Sequence, residues 1–289
     1  MIYDQPRFSP AGDRYLLVVF GDELNLELNF KAQGLARAIR EDNLAGVVET
    51  IPHFASLLIH YDPDRVTIST LEWEVLRLLE TLGSEADIEL PSRLFYIPVH
   101  YNDPWTKACI DDYILKVAPR EYDPEYLVRL NNLSDVRELA RVHAASEYWI
   151  TSIGFRPGLP MLMPLDPRCR LRAPKYNPPR TWTPQGAIGV AGAASAIYAT
   201  ASPGGYQLFG ITPVPIWDLS AKLAQFRDNP VLFKPGDRIR FVPVDREEHD
   251  HIAAEVEHGT YVYNYVPYQK FSVKGYNDWL SSLSPAEAR

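Results

Sequence analysis

Twenty-five prolines in 289 residues, gathered mainly between Pro157 and Pro243, set the strongest limit on how this chain can fold. Proline fixes φ and removes a backbone donor, so a stretch interrupted this often carries turns and short extended segments rather than long helices. The apolar runs between these breaks have strand length: residues 148–153, 187–191, 195–199, 206–209 and 238–242. Many short strands divided by Gly and Pro turns predict a closed or sandwiched β domain. Residues 221–226 add a short helix. The run TYVYNYV (260–266) alternates like a strand with one tyrosine face.

The first hundred residues read differently. Residues 15–20 (YLLVVF) form a strand, and residues 25–41 switch to a helical stripe of Leu28, Ala32, Leu35 and Ile39. Two β-rich runs follow at 47–51 and 57–61, then a helix over 68–82 with Leu71, Val75 and Leu78 on one face, then a strand over 93–100. The order β-α-β-β-α-β is that of a ferredoxin-like α+β module. Three short helices come next, at 105–117, 124–131 and 135–145, the last with Ser134 as N-cap. The expected division is a ferredoxin-like domain over 1–100, then a helical connector and β domain over 101–289.

A net charge of -8 lacks the basic patch that nucleic-acid binding requires. The two cysteines, Cys109 and Cys169, are too few for a disulfide framework, and they fit a reducing compartment. The N-terminus carries no secretory or transit pattern, and no apolar run is long enough to cross a bilayer. A cytoplasmic protein is expected. His249 and His251, with Glu255, sit at the alternate spacing of one strand face; in so charged a neighbourhood a solvated face is expected, and no metal. Cys169 lies between Arg168 and Arg170, a setting that can depress a thiol pKa, but a plain surface or core cysteine is expected.

Four segments carry the candidate chemistry: 154–168, 173–184, 186–198 and 202–217. Glycine clusters mark tight turns or places where a ligand approaches the backbone, and successive N–H groups can bind an oxyanion. Lys175 and Arg180 add positive charge, Arg with a planar fork that matches a carboxylate. An anion pocket built from loops on a β scaffold is one reading; plain turn-forming glycines are the other. No phosphate loop is present, so ATP chemistry belongs elsewhere. Ser195 and Ser202 lack the context of a serine nucleophile.

KYNPPRTWTP (175–184), GAIGVAG (186–192), AIY (196–198) and SPGGYQLFG (202–210), with HYNDPWTKACIDDY (100–113) and LDPRCRL (165–171), resemble the carboxyltransferase domain of urea carboxylase. The opening SPAGDRYLLVVFGDEL resembles the wider family of allophanate hydrolase subunit 1 and the small subunit of partner-dependent 5-oxoprolinase. The resemblance implies a cyclophilin-like β-barrel after the α+β module. It implies carboxyl transfer from carboxybiotin, delivered by a carrier protein, to urea or a small amide or amidine, with ATP used on another subunit. It also implies partners: an allophanate hydrolase subunit 2-like protein, a biotin carboxylase and a biotin carrier. On this basis Arg180, Gln207 and Tyr198 are the candidate catalytic residues, with the general base either Tyr198 or a residue of the partner. Lys175, Tyr176, Asn177, Ser202, Gly204 and Gly205 are the candidate substrate or carboxybiotin contacts. Two departures stand out. The family often reads Gly-Arg-Thr where this chain has Gly210-Ile211-Thr212, and it carries larger or polar residues at Ala193–Ala194, which implies a roomier, less polar pocket. A 5-oxoprolinase subunit and a kinase-binding regulator are the alternative readings.

Overall fold

The computed structural model describes residues 1–83 and 88–283. The chain divides into two compact units, one of Met1–Ser92 with the segment from Tyr268 onward, the other of Arg93–Pro267. An assignment of 1–100 and 101–289 has one crossing between domains; here the chain crosses twice, because its C-terminal segment returns to the first unit.

In the first unit β1 (Ile2–Pro10), β2 (Tyr15–Gly21), α1 (Leu26–Glu41), β3 (Val47–Pro52), β4 (Ser56–Tyr61) and α2 (Ile68–Leu82) follow one another. The sheet is antiparallel, in the order β1-β2-β4-β3. Strand alternation turns Leu16, Val18 and Phe20, and opposite them Leu57, Ile59 and Tyr61, into the core. Leu28, Leu35 and Ile39 of α1 and Leu71, Val75 and Leu78 of α2 complete it. Asn25 caps α1 by accepting from the Glu27 N–H at 2.9 Å. The strands and helices expected over 15–82 are all present. The ferredoxin-like order is not reproduced in full, since the strand expected at 93–100 does not join this sheet and β1 holds the place beside β2.

That strand is the second half of β5 (Glu89–Tyr101). Leu94, Phe95, Ile97 and Val99 are buried, a near-continuous apolar run that suits a strand covered on both faces. It pairs in parallel with β11 (Arg238–Pro243), Leu94 opposite Arg238. After β5 come α3 (Pro104–Lys116), α4 (Asp123–Leu130), α5 (Val136–Ala145), β6 (Glu147–Ile153), β7 (Pro160–Pro164), β8 (Ala187–Ala191), β9 (Ala194–Ile197) and β10 (Gln207–Ile211). The strand order β10-β8-β9-β7-β6-β11-β5 closes on itself where Gly210 and Ile211 of β10 pair with Tyr101 and His100 of β5. A closed seven-stranded barrel results. Gly210 permits the closure: a Cβ there would lie 3.0 Å from Val99 Cγ1 and 3.2 Å from the His100 carbonyl. Phe95, Ile150, Ile188, Phe209 and Phe241 are among the buried residues of this unit's core, each worth roughly 1.5–3 kcal/mol on burial. Helices α3 and α4 pack on β10, and α5 on β11.

Several local expectations change. Asp135, not Ser134, caps α5, accepting from the Glu138 N–H at 2.8 Å, while the Ser134 hydroxyl pairs with the Glu138 carboxylate. Residues 221–226 supply only a 3-10 turn, Ala224–Phe226. His249 and His251 lie on a helix, α6 (Arg246–His258), so their i,i+2 spacing turns them apart: His249 is buried and His251 exposed. Of the TYVYNYV run, only Tyr265 onward is strand, in β12 (Tyr265–Ser272), which leads into α7 (Val273–Ser282). No described helix is long and apolar enough to cross a membrane.

His143 of α5 is fully buried among Tyr101, Tyr148, Phe209 and Phe241, with Nδ1 2.8 Å from the Tyr101 hydroxyl. Burial lowers its pKa to about 3. The folded state therefore holds this imidazole neutral while the unfolded chain takes up a proton below pH ~6.5, so stability falls as pH drops from there toward 3. Urea titration should show His143 removing about 2 kcal/mol between pH 7 and pH 5. In His143→Leu that share of the pH slope should vanish.

Candidate functional site

Residues 173–184 run along one rim of the barrel and are pinned at two points. Ala173 exchanges both backbone hydrogen bonds with Gly192, at 3.1 and 2.7 Å, in the turn between β8 and β9. Further along, the Tyr176 N–H donates to the Gly205 carbonyl at 2.7 Å, and Arg180 exchanges bonds with Gly204 at 2.8 and 3.1 Å. Two loops that are separate in sequence are thus joined through backbone.

Beneath this junction lies a buried charged network. The Asp123 carboxylate, fully buried at the start of α4, accepts from the Tyr176 hydroxyl at 2.6 Å and the Leu208 N–H at 2.7 Å. Arg120 reaches it at 2.9 Å and Arg180 at 3.9 Å. Burial raises the Asp123 pKa, against the opposing pull of Arg120, Tyr176, the Leu208 N–H and Arg180. Both guanidinium groups stack over the Tyr176 ring, at 3.5 Å for Arg120 and 4.4 Å for Arg180. Arg120 also donates to Gln207 Oε1 at 2.5 Å, and Gln207 Nε2 to the Pro174 carbonyl at 2.6 Å. Arg180, 1% exposed, donates to the Tyr206 carbonyl at 2.7 Å and to the Thr183 hydroxyl at 3.3 Å. Among the described residues its Nη2 is buried without a hydrogen-bond partner, as is the hydroxyl of Ser202, whose backbone N–H donates to the Thr183 carbonyl at 3.2 Å.

Above the network opens a cavity of about 90 Å³ lined by Phe155, Leu159, Met161, Lys175, Ala196, Tyr198, Gly204, Gly205 and Tyr206. Met161 of β7 and Ala196 of β9 face one another across a ladder pair and make its apolar wall. Lys175 is exposed, with its ammonium 5.7 Å from the Tyr206 ring centroid. Phe155 is 65% exposed and holds a left-handed backbone, φ +65°, which a bulky residue adopts only under constraint from its surroundings.

The structure therefore sorts the candidate residues. Lys175, Tyr198, Gly204 and Gly205 share the cavity. Arg180, Tyr176 and Gln207 belong to the network below it, the Gln207 amide bonded to Arg120 at its oxygen and to the Pro174 carbonyl at its nitrogen. Asn177 is exposed, and Ser202 is buried beside Thr183. Burial raises the Tyr198 pKa, against the opposing pull of Arg180 and the hydrogen bonds from the Tyr206 amide and Thr183. Burial also pushes the Cys169 thiol up to about 11, overriding its arginine neighbours. The departures fall outside the cavity. Ala193 and Ala194 form the turn and first residue of β9, and Ile211 lines a separate open groove with Trp105 and His249. Arg120, Asp123, Phe155, Met161 and Tyr206 are additions to the residues expected from sequence. Asp123-Pro124 carries a local signal, that of a helix start, and Tyr122 rather than Asp123 holds the cap position while the Asp123 carboxylate turns to Tyr176 and Leu208.

The model of the carboxyltransferase domain, subdomains C and D, matches residues 6–226. The chain belongs to that family. Urea amidolyase of Saccharomyces cerevisiae is 32% identical over 95% of this chain, but the match covers only 15% of the yeast protein. A 5-oxoprolinase subunit of Bacillus subtilis is 31% identical over 82% of the chain and 92% of its own length. Among solved structures, Kluyveromyces lactis urea carboxylase superposes over 100% of this chain and 27% of its own, with TM-score 0.84 and 25% identity. This carboxyltransferase-family chain thus spans a small part of the urea-processing relatives and most of the Bacillus protein.

Proposed function

We propose that this chain is one half of a carboxyltransferase site that moves a carboxyl group from carboxybiotin to urea or a related small amide or amidine. The observation that carries this reading is the cavity itself. It combines an exposed cation at the mouth, two protonated phenols and an apolar wall. Such a set suits a planar carboxylated nitrogen, with Lys175 meeting the carboxylate against the apolar wall. At about 90 Å³ the cavity is well below the ~300–1,000 Å³ of a complete ligand site. That supports a second protein, of the allophanate hydrolase subunit 2 type, completing the enclosure, with a biotin carboxylase and carrier supplying the donor and ATP used there. A cytoplasmic setting fits such an assembly, and so does a cyclophilin-like barrel.

Carboxybiotin would bring the carboxyl group to this mouth. In the overall transfer one N–C bond breaks and one forms, while a proton passes from the acceptor nitrogen to the biotin nitrogen. Within this chain Lys175 holds the carboxylate, and Tyr198 and the Gly204–Gly205 backbone shape the wall. Arg180 and Asp123 are positioning residues that fix those loops. The likeness to the Bacillus 5-oxoprolinase subunit favours a second reading, ATP-dependent lactam opening without biotin.

The test is reconstitution with the second protein, a biotin carboxylase and a carrier, across ureas, amidines and lactams. The expected result is turnover that depends on bicarbonate and biotin, with Lys175→Ala raising KM about tenfold or more. Turnover of 5-oxoproline with ATP but no biotin would replace the first reading by the second.

A further inference from the structure

We infer that Tyr206 is a ligand-contacting hydrogen-bond donor of this site, poised to donate to an anionic oxygen of the bound group; this rests on the reading of the cavity as a carboxyl site. Two neighbouring tyrosine hydroxyls are committed to strong acceptors: Tyr176 donates to the Asp123 carboxylate at 2.6 Å and Tyr113 to the Pro178 carbonyl at 2.8 Å. The Tyr206 hydroxyl instead points at the thioether sulfur of Met161, 3.5 Å away. A thioether is a weak acceptor, so little is lost when the hydroxyl leaves it. A carboxylate oxygen in the cavity offers a charge-assisted bond roughly twice as strong as a neutral one.

The geometry around Tyr206 fits this exchange. Tyr206 and Met161 both line the cavity, so the hydroxyl and its weak acceptor share one wall. Lys175 stands over the same ring, placing a cation and a neutral donor at one mouth. The Tyr206 carbonyl accepts from Arg180, which anchors the backbone while the side chain stays available. Burial, with Tyr198 nearby, holds the phenol at a pKa of about 12, so it remains a proton donor across the working range of pH.

The test measures oxamate, a planar amide-carboxylate anion, binding by calorimetry to the complex of this chain with the second protein that completes the site. Four proteins are compared: wild type, Lys175→Ala, Tyr206→Phe and Met161→Leu. Tyr206→Phe keeps the ring, the wall and the contact with Lys175, and removes only the hydroxyl. It should weaken oxamate about tenfold or more with an unchanged melting temperature. Met161→Leu removes the sulfur acceptor and should bind oxamate as well as wild type or better. If the hydroxyl–sulfur contact is merely structural, the two variants behave alike, and that result overturns the inference. Wild-type-like binding by Tyr206→Phe, with loss in Lys175→Ala, overturns it while leaving the carboxyl site standing. No binding to wild type overturns both.

Discussion

Asp123→Ala should lower the unfolding free energy by about 3–5 kcal/mol, roughly 10 °C in melting temperature. The carboxylate has no exposure and collects two arginines, a phenol and a backbone N–H. Removing it leaves Arg180, itself 1% exposed, without a nearby countercharge, and leaves the Leu208 N–H of β10 without its acceptor. Asp123→Asn keeps an oxygen that can still accept from Leu208 and should lose less. Urea unfolding of the three proteins checks both statements. A loss below about 1 kcal/mol in Asp123→Ala would place the network among ordinary surface ion pairs.

The second large effect separates two adjacent glycines. Gly204→Ala should reduce carboxyl transfer at least about 100-fold, while Gly205→Ala should be nearly silent. A Cβ on Gly204 would collide with the Tyr198 hydroxyl and lie 2.6 Å from its Cε1 and 2.7 Å from its Cζ. The ring stands in a packed wall, and relieving the clash moves Tyr198 or breaks the Arg180–Gly204 bridge. On Gly205 the nearest atoms are 3.6 Å away, an ordinary contact. Neither glycine has a positive φ, so the difference is one of space alone.

What is legible in the sequence follows the length scale of each signal. Periodicity locates β2, β4, α1 and α2, because Leu16–Val18–Phe20 and Leu28–Leu35–Ile39 alternate at unambiguous periods. β1 leaves no such mark: IYDQPRFSP has no apolar alternation and carries two prolines, one at the strand's end, as an edge strand tolerates. The strand over 93–100 is legible but its sheet is not, since its parallel partner β11 lies about 140 residues away and pairing at that distance leaves no local signal. The loops 173–184 and 202–210 read as one site, yet residue type does not separate the roles within them. Arg180 and Gln207 have the chemistry of ligand contacts, and the fold also bonds them to Tyr206, Thr183, Arg120 and Pro174. Tyr206 sits in the motif without standing out, because its availability depends on facing a sulfur rather than an oxygen.

Single-turnover transfer of labelled carboxyl from a carboxybiotin carrier, in the assembled complex, to its small amide or amidine acceptor decides whether this site moves a carboxyl group. Acid-labile label should appear on the acceptor with wild type and Gly205→Ala, and be nearly lost with Gly204→Ala. Label transferred equally by Gly204→Ala, or label that stays on the carrier with wild type, would contradict carboxyl transfer at this site.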